Sequence, residues 1–296
     1  MNTLYSHYFI FCLIALALLM FAFCEPTEET GEDNTIYLST VFEYVYGPGQ
    51  HAAQAKPADT QYIIGNPAKH SGWLYLGGFG GYVVAGFSAN IPNNEGPDFE
   101  VFALPGAGPE PAVVYVMRDD NGDGLPNETW YELKGSEFDN SKRNYSVTYY
   151  KPAVDTANIT WIDSNRQTGE LKAGFGNPYS SSWWWPETKE NTITFHGTRL
   201  PDAYENTQVG DASNWTVPEG RFEWGYAENS SGEDYYDYKD YMRFSNRLDI
   251  GNAVDGSGEP IHIDHIRFIK IQSAVLQQAG WLNEISPEIR GAGGLK

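Results

Sequence analysis

An all-β sandwich is the fold this chain predicts, on three observations. Beyond residue 35, short runs of apolar-polar alternation recur, broken by Gly, Pro, Asn and Asp, which is the pattern of strands joined by turns. No helical period of useful length accompanies them, so the sheets must pack on one another and not on helices. Residues 119–132, Asp-Asp-Asn-Gly-Asp-Gly-Leu-Pro-Asn-Glu-Thr-Trp-Tyr-Glu, set oxygen-bearing side chains at alternate positions between two strand-like runs. That is the composition of a metal-pinned loop inside a β protein.

The N-terminal segment stands apart. Tyr8–Phe23 is an unbroken apolar run, short of the ~20 residues of a spanning helix and matched to the apolar region of a secretory signal. Only His7, with no Lys or Arg, precedes it, and it ends at Cys24. A cysteine closing such a run before an acidic stretch resembles a bacterial lipoprotein, in which residues 1–23 are removed as a signal peptide and Cys24 is the lipidated first residue. Phe23 stands where lipoprotein cleavage sites prefer a small residue, so ordinary secretion and an uncleaved anchor stay open. Residues 24–34 are a flexible acidic tether, because Pro26–Asn34 offers nothing apolar to bury. Cys12 and Cys24 are the only cysteines. The mature domain therefore has no internal disulfide and must be stabilised by its core and by metal; a long secreted domain of this kind points to a bacterial source.

Residues 35–296 read as one sandwich domain with long aromatic loops. Its strands are expected at Gly81–Phe87, Asp98–Leu104, Ala112–Arg118, Thr129–Leu133, Tyr145–Tyr150, Asn158–Ile162, Thr192–His196, Gly220–Tyr226 and Ile261–Val275, the last bending or splitting. Gly77-Gly-Phe-Gly-Gly-Tyr suits a tight bend into a central strand. It lacks the Lys-Ser/Thr and the helix of a phosphate loop. The stretches 163–190 and 229–255 read as long loops, the usual seat of function on a rigid sandwich.

Formal charge is −20, from 39 acidic and 19 basic residues. A duplex or an anionic membrane would be repelled, so nucleic acid is not an expected partner and membrane contact runs only through the N-terminal lipid. Calcium or a neutral ligand is easier to accommodate.

Calcium would be held by side-chain oxygens of Asp119, Asn121 and Asp123, by the Leu125 carbonyl, and by Asn127 or Glu128, with Gly124 permitting the sharp turn. Trp130 stands where an EF-hand has its twelfth-position Glu, and strands replace the flanking helices, so the site would be structural and not a sensor. An ordinary Asn/Gly/Asp turn is the plainer alternative.

Two aromatic clusters are candidate ligand surfaces. On a strand, Trp183, Trp184 and Trp185 cannot all face one core, so at least one is expected to be exposed or in a groove, where an indole stacks on sugars or flat ligands. The alternative buries two and lays the third over a sheet edge. Tyr235, Tyr236, Tyr238 and Tyr241, interleaved with Asp, have the composition of a binding surface or of a solvated loop with rings folded down. His262, Asp264 and His265 are poorly spaced for zinc on one strand. Asp249, Asn252, Asp255, Glu284 and Glu288 read as turn or surface residues, with a second oxygen-ligand site the other reading. Nucleophile-elbow and zinc-protease motifs are absent and the mature chain keeps only Cys24, so no catalytic residue is assigned; the many acidic pairs leave a glycosidase dyad open.

Several phrases together resemble a family of Gram-negative cell-surface lipoproteins: Val41-Phe-Glu-Tyr-Val-Tyr-Gly-Pro-Gly-Gln-His, Leu76-Gly-Gly-Phe-Gly-Gly-Tyr-Val-Val-Ala-Gly-Phe and Asp98-Phe-Glu-Val-Phe, then the acidic loop through Ser136, Gly225–Asn229, Leu248–Asp255 and Ile269–Val275. The resemblance implies a jelly-roll-like fold anchored by lipid in the outer membrane and exposed at the cell surface. It further implies association with corrinoid (vitamin B12) uptake through a TonB-dependent transporter. On it, the expected function is non-catalytic corrinoid capture. A calcium-stabilised glycan-binding or adhesion module is the alternative, and a carboxylate-dependent glycan hydrolase the second.

Overall fold

Alternating apolar side chains decide how the strands face. The computed structural model describes residues 33–49, 52, 55–104, 108–154, 156–173, 184–205, 207, 215–230, 234–239, 243–279 and 285–295. The signal segment, Cys24 and most of the tether lie outside the described residues. Among the described residues, no helix is long and apolar enough to cross a membrane.

In chain order the strands are β1 (Leu38–Val45), β2 (Leu74–Tyr75), β3 (Tyr82–Pro92), β4 (Phe99–Ala103), β5 (Ala112–Met117), β6 (Tyr131–Leu133), β7 (Lys142–Tyr150) and β8 (Ile159–Asp163). They continue as β9 (Thr168–Leu171), β10 (Thr192–Arg199), β11 (Tyr235–Asp237), β12 (Phe244–Leu248), β13 (Ala253–Val254), β14 (His265–Ser273) and β15 (Glu288–Gly294). Three antiparallel sheets result: β1-β3-β14-β5-β6-β13, β11-β12-β4-β15-β2 and β10-β7-β8-β9.

The first two sheets form the sandwich. Val83, Ala85 and Phe87 of β3, Val114 and Val116 of β5, and Ile269 and Ile271 of β14 share one core with Phe99 and Val101 of β4, Leu248 of β12, and Ile289 and Ala292 of β15. Phe87 meets Phe99 edge-on, with ring centroids 6.1 Å apart. Each buried Val, Leu, Ile or Phe among them contributes about 1.5–3 kcal/mol by leaving water. The chain crosses between the sheets from β3 to β4, back to β5, and again from β14 to β15, which gives the sandwich its jelly-roll-like path.

The third sheet has a core of its own. Tyr145, Val147 and Tyr149 of β7, Ile159 of β8 and Phe195 of β10 pack against Phe79, Trp184, Trp185 and Leu276. Phe79 comes from the glycine run that turns the chain into β3. Gly77 and Gly80 there hold φ of 74° and 96°, and a Cβ on Gly81 would lie 1.8 Å from the Leu76 carbonyl oxygen, so only glycine fits.

Three expectations need correction. Gly220–Tyr226 is not a strand, because Gly220, Phe222 and Gly225 have φ of 76°, 58° and 88°, which no extended ladder tolerates. Ile261–Val275 contributes a strand only over His265–Ser273, with a bulge between Ile266 and Phe268. The stretches read as long loops contain β9 in one case and β11, β12 and β13 in the other.

Candidate functional site

The acidic loop joins β5 to β6. Arg118 fixes its entrance through ion pairs with Asp120 (2.8 Å) and Asp264 (3.1 Å). Gly122 and Gly124 both take φ of 73°, and the side chains then fold back on the backbone. The Asp123 N–H donates to Asn121 Oδ1 (2.8 Å), the Leu125 N–H to Asp123 Oδ1 (2.8 Å), and the Gly124 N–H to Asp119 Oδ2 (3.1 Å). Donation from the Asn127 amide, and then from the Leu125 N–H, holds the Asp123 carboxyl below its usual range.

These turns bring carboxylate oxygens of Asp119, Asp123 and Glu128 within 4.8 Å of one another. Oxygens on opposite sides of a calcium ion stand roughly 4.6–5.2 Å apart, from Ca–O bonds of 2.3–2.6 Å. Asp119 Oδ1 and Glu128 Oε2 are both buried and accept no hydrogen bond. An ordinary turn leaves such oxygens to water; two carboxylate oxygens sequestered together fit a cation. The other expected ligands lie in the same loop with internal bonds: the Leu125 carbonyl accepts from the Asn127 N–H (3.0 Å), and the Asn121 amide donates to Asn127 Oδ1 (3.2 Å).

The aromatic clusters behave differently. Trp184 and Trp185 are buried, 2% and 6% exposed, in the core of the third sheet. This corrects the expectation of an indole platform at these two positions. The expectation assumed strand geometry, but both residues sit in a turn and bend, where consecutive side chains need not alternate. Trp183 and Tyr241 lie outside the described residues. Tyr235, Tyr236 and Tyr238 belong to the β11 edge of the five-stranded sheet. Tyr235 packs on Phe244 (centroids 5.2 Å), while Tyr236 is 42% exposed beneath the Arg247 guanidinium (4.2 Å). The Tyr238 hydroxyl donates to Glu100 Oε1 at 2.5 Å. Tyr238 lines a groove of about 270 Å³ with Glu100, Phe102, Arg243 and Arg247. The described members of the two clusters, Trp184 and Trp185 on one side and Tyr235, Tyr236 and Tyr238 on the other, therefore serve different sheets and do not converge on one groove.

A larger cleft, about 390 Å³, opens between the six-stranded and four-stranded sheets. Tyr115, Trp130, Glu132 and Lys270 line one wall, Arg143, Tyr145, His196 and Thr198 another, and Val254, Asp255 and Gly256 complete the rim. Trp130 and Glu132 follow the acidic loop directly, so fixing that loop fixes this wall. Glu132 accepts from the Thr198 hydroxyl (2.5 Å), and the Thr198 N–H donates to the Tyr115 oxygen (3.1 Å). Burial pushes the Glu132 carboxyl up, against the Thr198 bond and the Arg143 charge. Lys270 Nζ lies 4.5 Å from the centre of the Tyr82 ring and 5.3 Å from that of Tyr115, and burial lowers its pKa to about 8. Asp255 is held low by the Ser257 hydroxyl and neighbouring N–H groups. The cleft thus carries donors, acceptors and aromatic faces together.

Sequence reasoning missed this cleft, because its walls come from strands remote in the chain. One signal existed: Lys270 stands between Ile269 and Ile271 in a largely apolar strand, and a lysine is rarely buried without a reason. His265 Nδ1 lies 2.9 Å from Asp264, and neither residue lines the cleft. No family model matches the chain, and no curated protein matches its sequence.

Proposed function

We infer that this is a calcium-stabilised, non-catalytic binding protein of the outer-membrane surface, held by a lipid on Cys24. In this reading it captures a corrinoid and passes it to a TonB-dependent transporter. The observation that carries the reading is the cleft between the sheets. Its aromatic walls of Tyr115, Trp130 and Tyr145 sit beside Arg143, Lys270, Glu132 and Asp255, a lining suited to a large amphipathic molecule that bears neutral amides. A corrinoid exceeds the recess, so one edge would enter and the rest would lie along the mouth. The clustering of Asp119, Asp123 and Glu128 supports calcium as the ion that steadies the Trp130 wall.

Titration with cyanocobalamin, beside a glycan panel, tests the reading. Saturable corrinoid binding, weakened at least tenfold by Trp130→Ala, is expected. Glycan binding without corrinoid binding would replace it with the adhesion reading. A hydrolytic reading also has one observation in its favour. Glu132 and Asp255 line one cleft, and their surroundings push the first carboxyl up and the second down, as an acid and a base require. Sugar release that Glu132→Gln abolishes would establish it.

A further inference from the structure

A second acidic cluster joins the two sheets of the sandwich. Glu110 precedes β5, Glu288 opens β15, and Glu228 lies in the segment whose Ala227 bridges to Ala112. Ligand oxygens of Glu110, Glu228 and Glu288 all fall within 4.8 Å of one another. Glu228 is fully buried. Its Oε2 accepts the Glu288 N–H, and its Oε1 is buried with no hydrogen-bond partner. The backbone at this position is tied in place: Glu228 has a φ of 51°, and the Glu110 N–H donates to its carbonyl (3.0 Å).

We propose that Glu110, Glu228 and Glu288 form a second divalent-cation site, of calcium-type oxygen chemistry, that clamps the six-stranded sheet to the five-stranded sheet. Oxygen-only ligands select a hard cation. Three carboxylates without nitrogen or sulfur donors match calcium, whose flexible shell accepts irregular oxygen geometry, whereas magnesium demands a near-ideal octahedron. A buried carboxylate needs a counter-charge or a proton. Glu228 is fully buried, and carboxylate oxygens of Glu110 and Glu288 stand beside it. An ion at the cluster would relieve all three. The alternative is that Glu228 simply keeps a proton.

The two are separated by metal stoichiometry on the full chain, read by terbium luminescence and by elemental analysis after calcium loading and desalting. About two ions per chain are expected in the wild type. Glu228→Gln should lose one, while the Asp119→Asn/Asp123→Asn loop variant should keep the one at Glu228. If Glu228→Gln binds as many ions as wild type, with unchanged calcium affinity, the residue holds a proton and the proposal is overturned. If the loop variant binds none, the proposal is likewise overturned. A wild type with one ion, lost only on Glu228→Gln, would keep this site and remove the loop site. Circular dichroism checks the fold of each variant. Should Glu228→Gln not fold, the half-buried Glu110→Gln decides: a tenfold or greater loss of affinity at one site supports the proposal, and unchanged binding overturns it.

Discussion

Asp119 and Glu128 open and close the β5–β6 loop, and each turns one carboxylate oxygen inward, where it is buried and accepts no hydrogen bond. Carboxylate oxygens of Asp119, Asp123 and Glu128 gathered within 4.8 Å of one another repel in the absence of a cation and ligate in its presence. Asp119→Asn should therefore have opposite effects in the two conditions. In calcium it should lower stability and weaken ion binding by at least tenfold, about 1.4 kcal/mol. In chelator it should leave stability equal or raise it, because one repulsion is gone. Denaturant midpoints in both conditions check this. A uniform loss in both would mean that Asp119 acts only as a turn residue.

Trp184 is a core residue of the third sheet and not a ligand platform. Trp184→Ala should cost about 3–5 kcal/mol, the range for deleting a large aromatic from a core, without altering ligand affinity in the fraction that remains folded. Guanidinium melts paired with ligand titration separate the two effects. A stable variant that had lost binding would reinstate the platform.

Lys270 gives a pH signature. Its folded pKa, about 8, lies below the ordinary value of 10.5, chiefly through burial and against the attraction of Glu43. Between these values the unfolded chain holds the extra proton, so stability rises with pH through this window. Below pH 8 both states are protonated and the cost of the buried charge is fully present. Tyr44, Tyr82, Tyr115, Tyr145, Tyr149 and Tyr226 have raised pKa values, so their contribution is lost as pH rises above 10. The comparison is therefore best made from pH 8 to roughly 9.5, before unfolded tyrosines ionise. Chemical denaturation should show stability climbing in the wild type and flat in Lys270→Met. Equal slopes would show that the amine is solvated.

The parts of the fold legible in the sequence are those where alternation and turn residues agree. Asp98–Leu104 and Ala112–Arg118 were expected, and β4 and β5 form within a residue of those bounds. The same local logic singled out the acidic loop, whose spacing is written in consecutive residues. β15 was hidden because Glu-Ile-Arg-Gly-Ala-Gly-Gly reads as a turn. Its glycines are demanded by packing: a Cβ on Gly293 would lie 2.9 Å from the Tyr37 ring. The cleft was hidden for a different reason. Trp130, Arg143, His196 and Lys270 meet only after three strands and a loop have been placed, and no local pattern carries that information.

Calorimetric unfolding of the purified protein, in about 1 mM calcium and again in excess chelator, tests the cation-locked sandwich most directly. An ion held about a thousandfold tighter than its concentration stabilises by roughly 4 kcal/mol. For a domain of this size that is a melting shift of roughly 10 °C, restored when calcium is returned. Superimposable transitions in the two buffers would contradict the account.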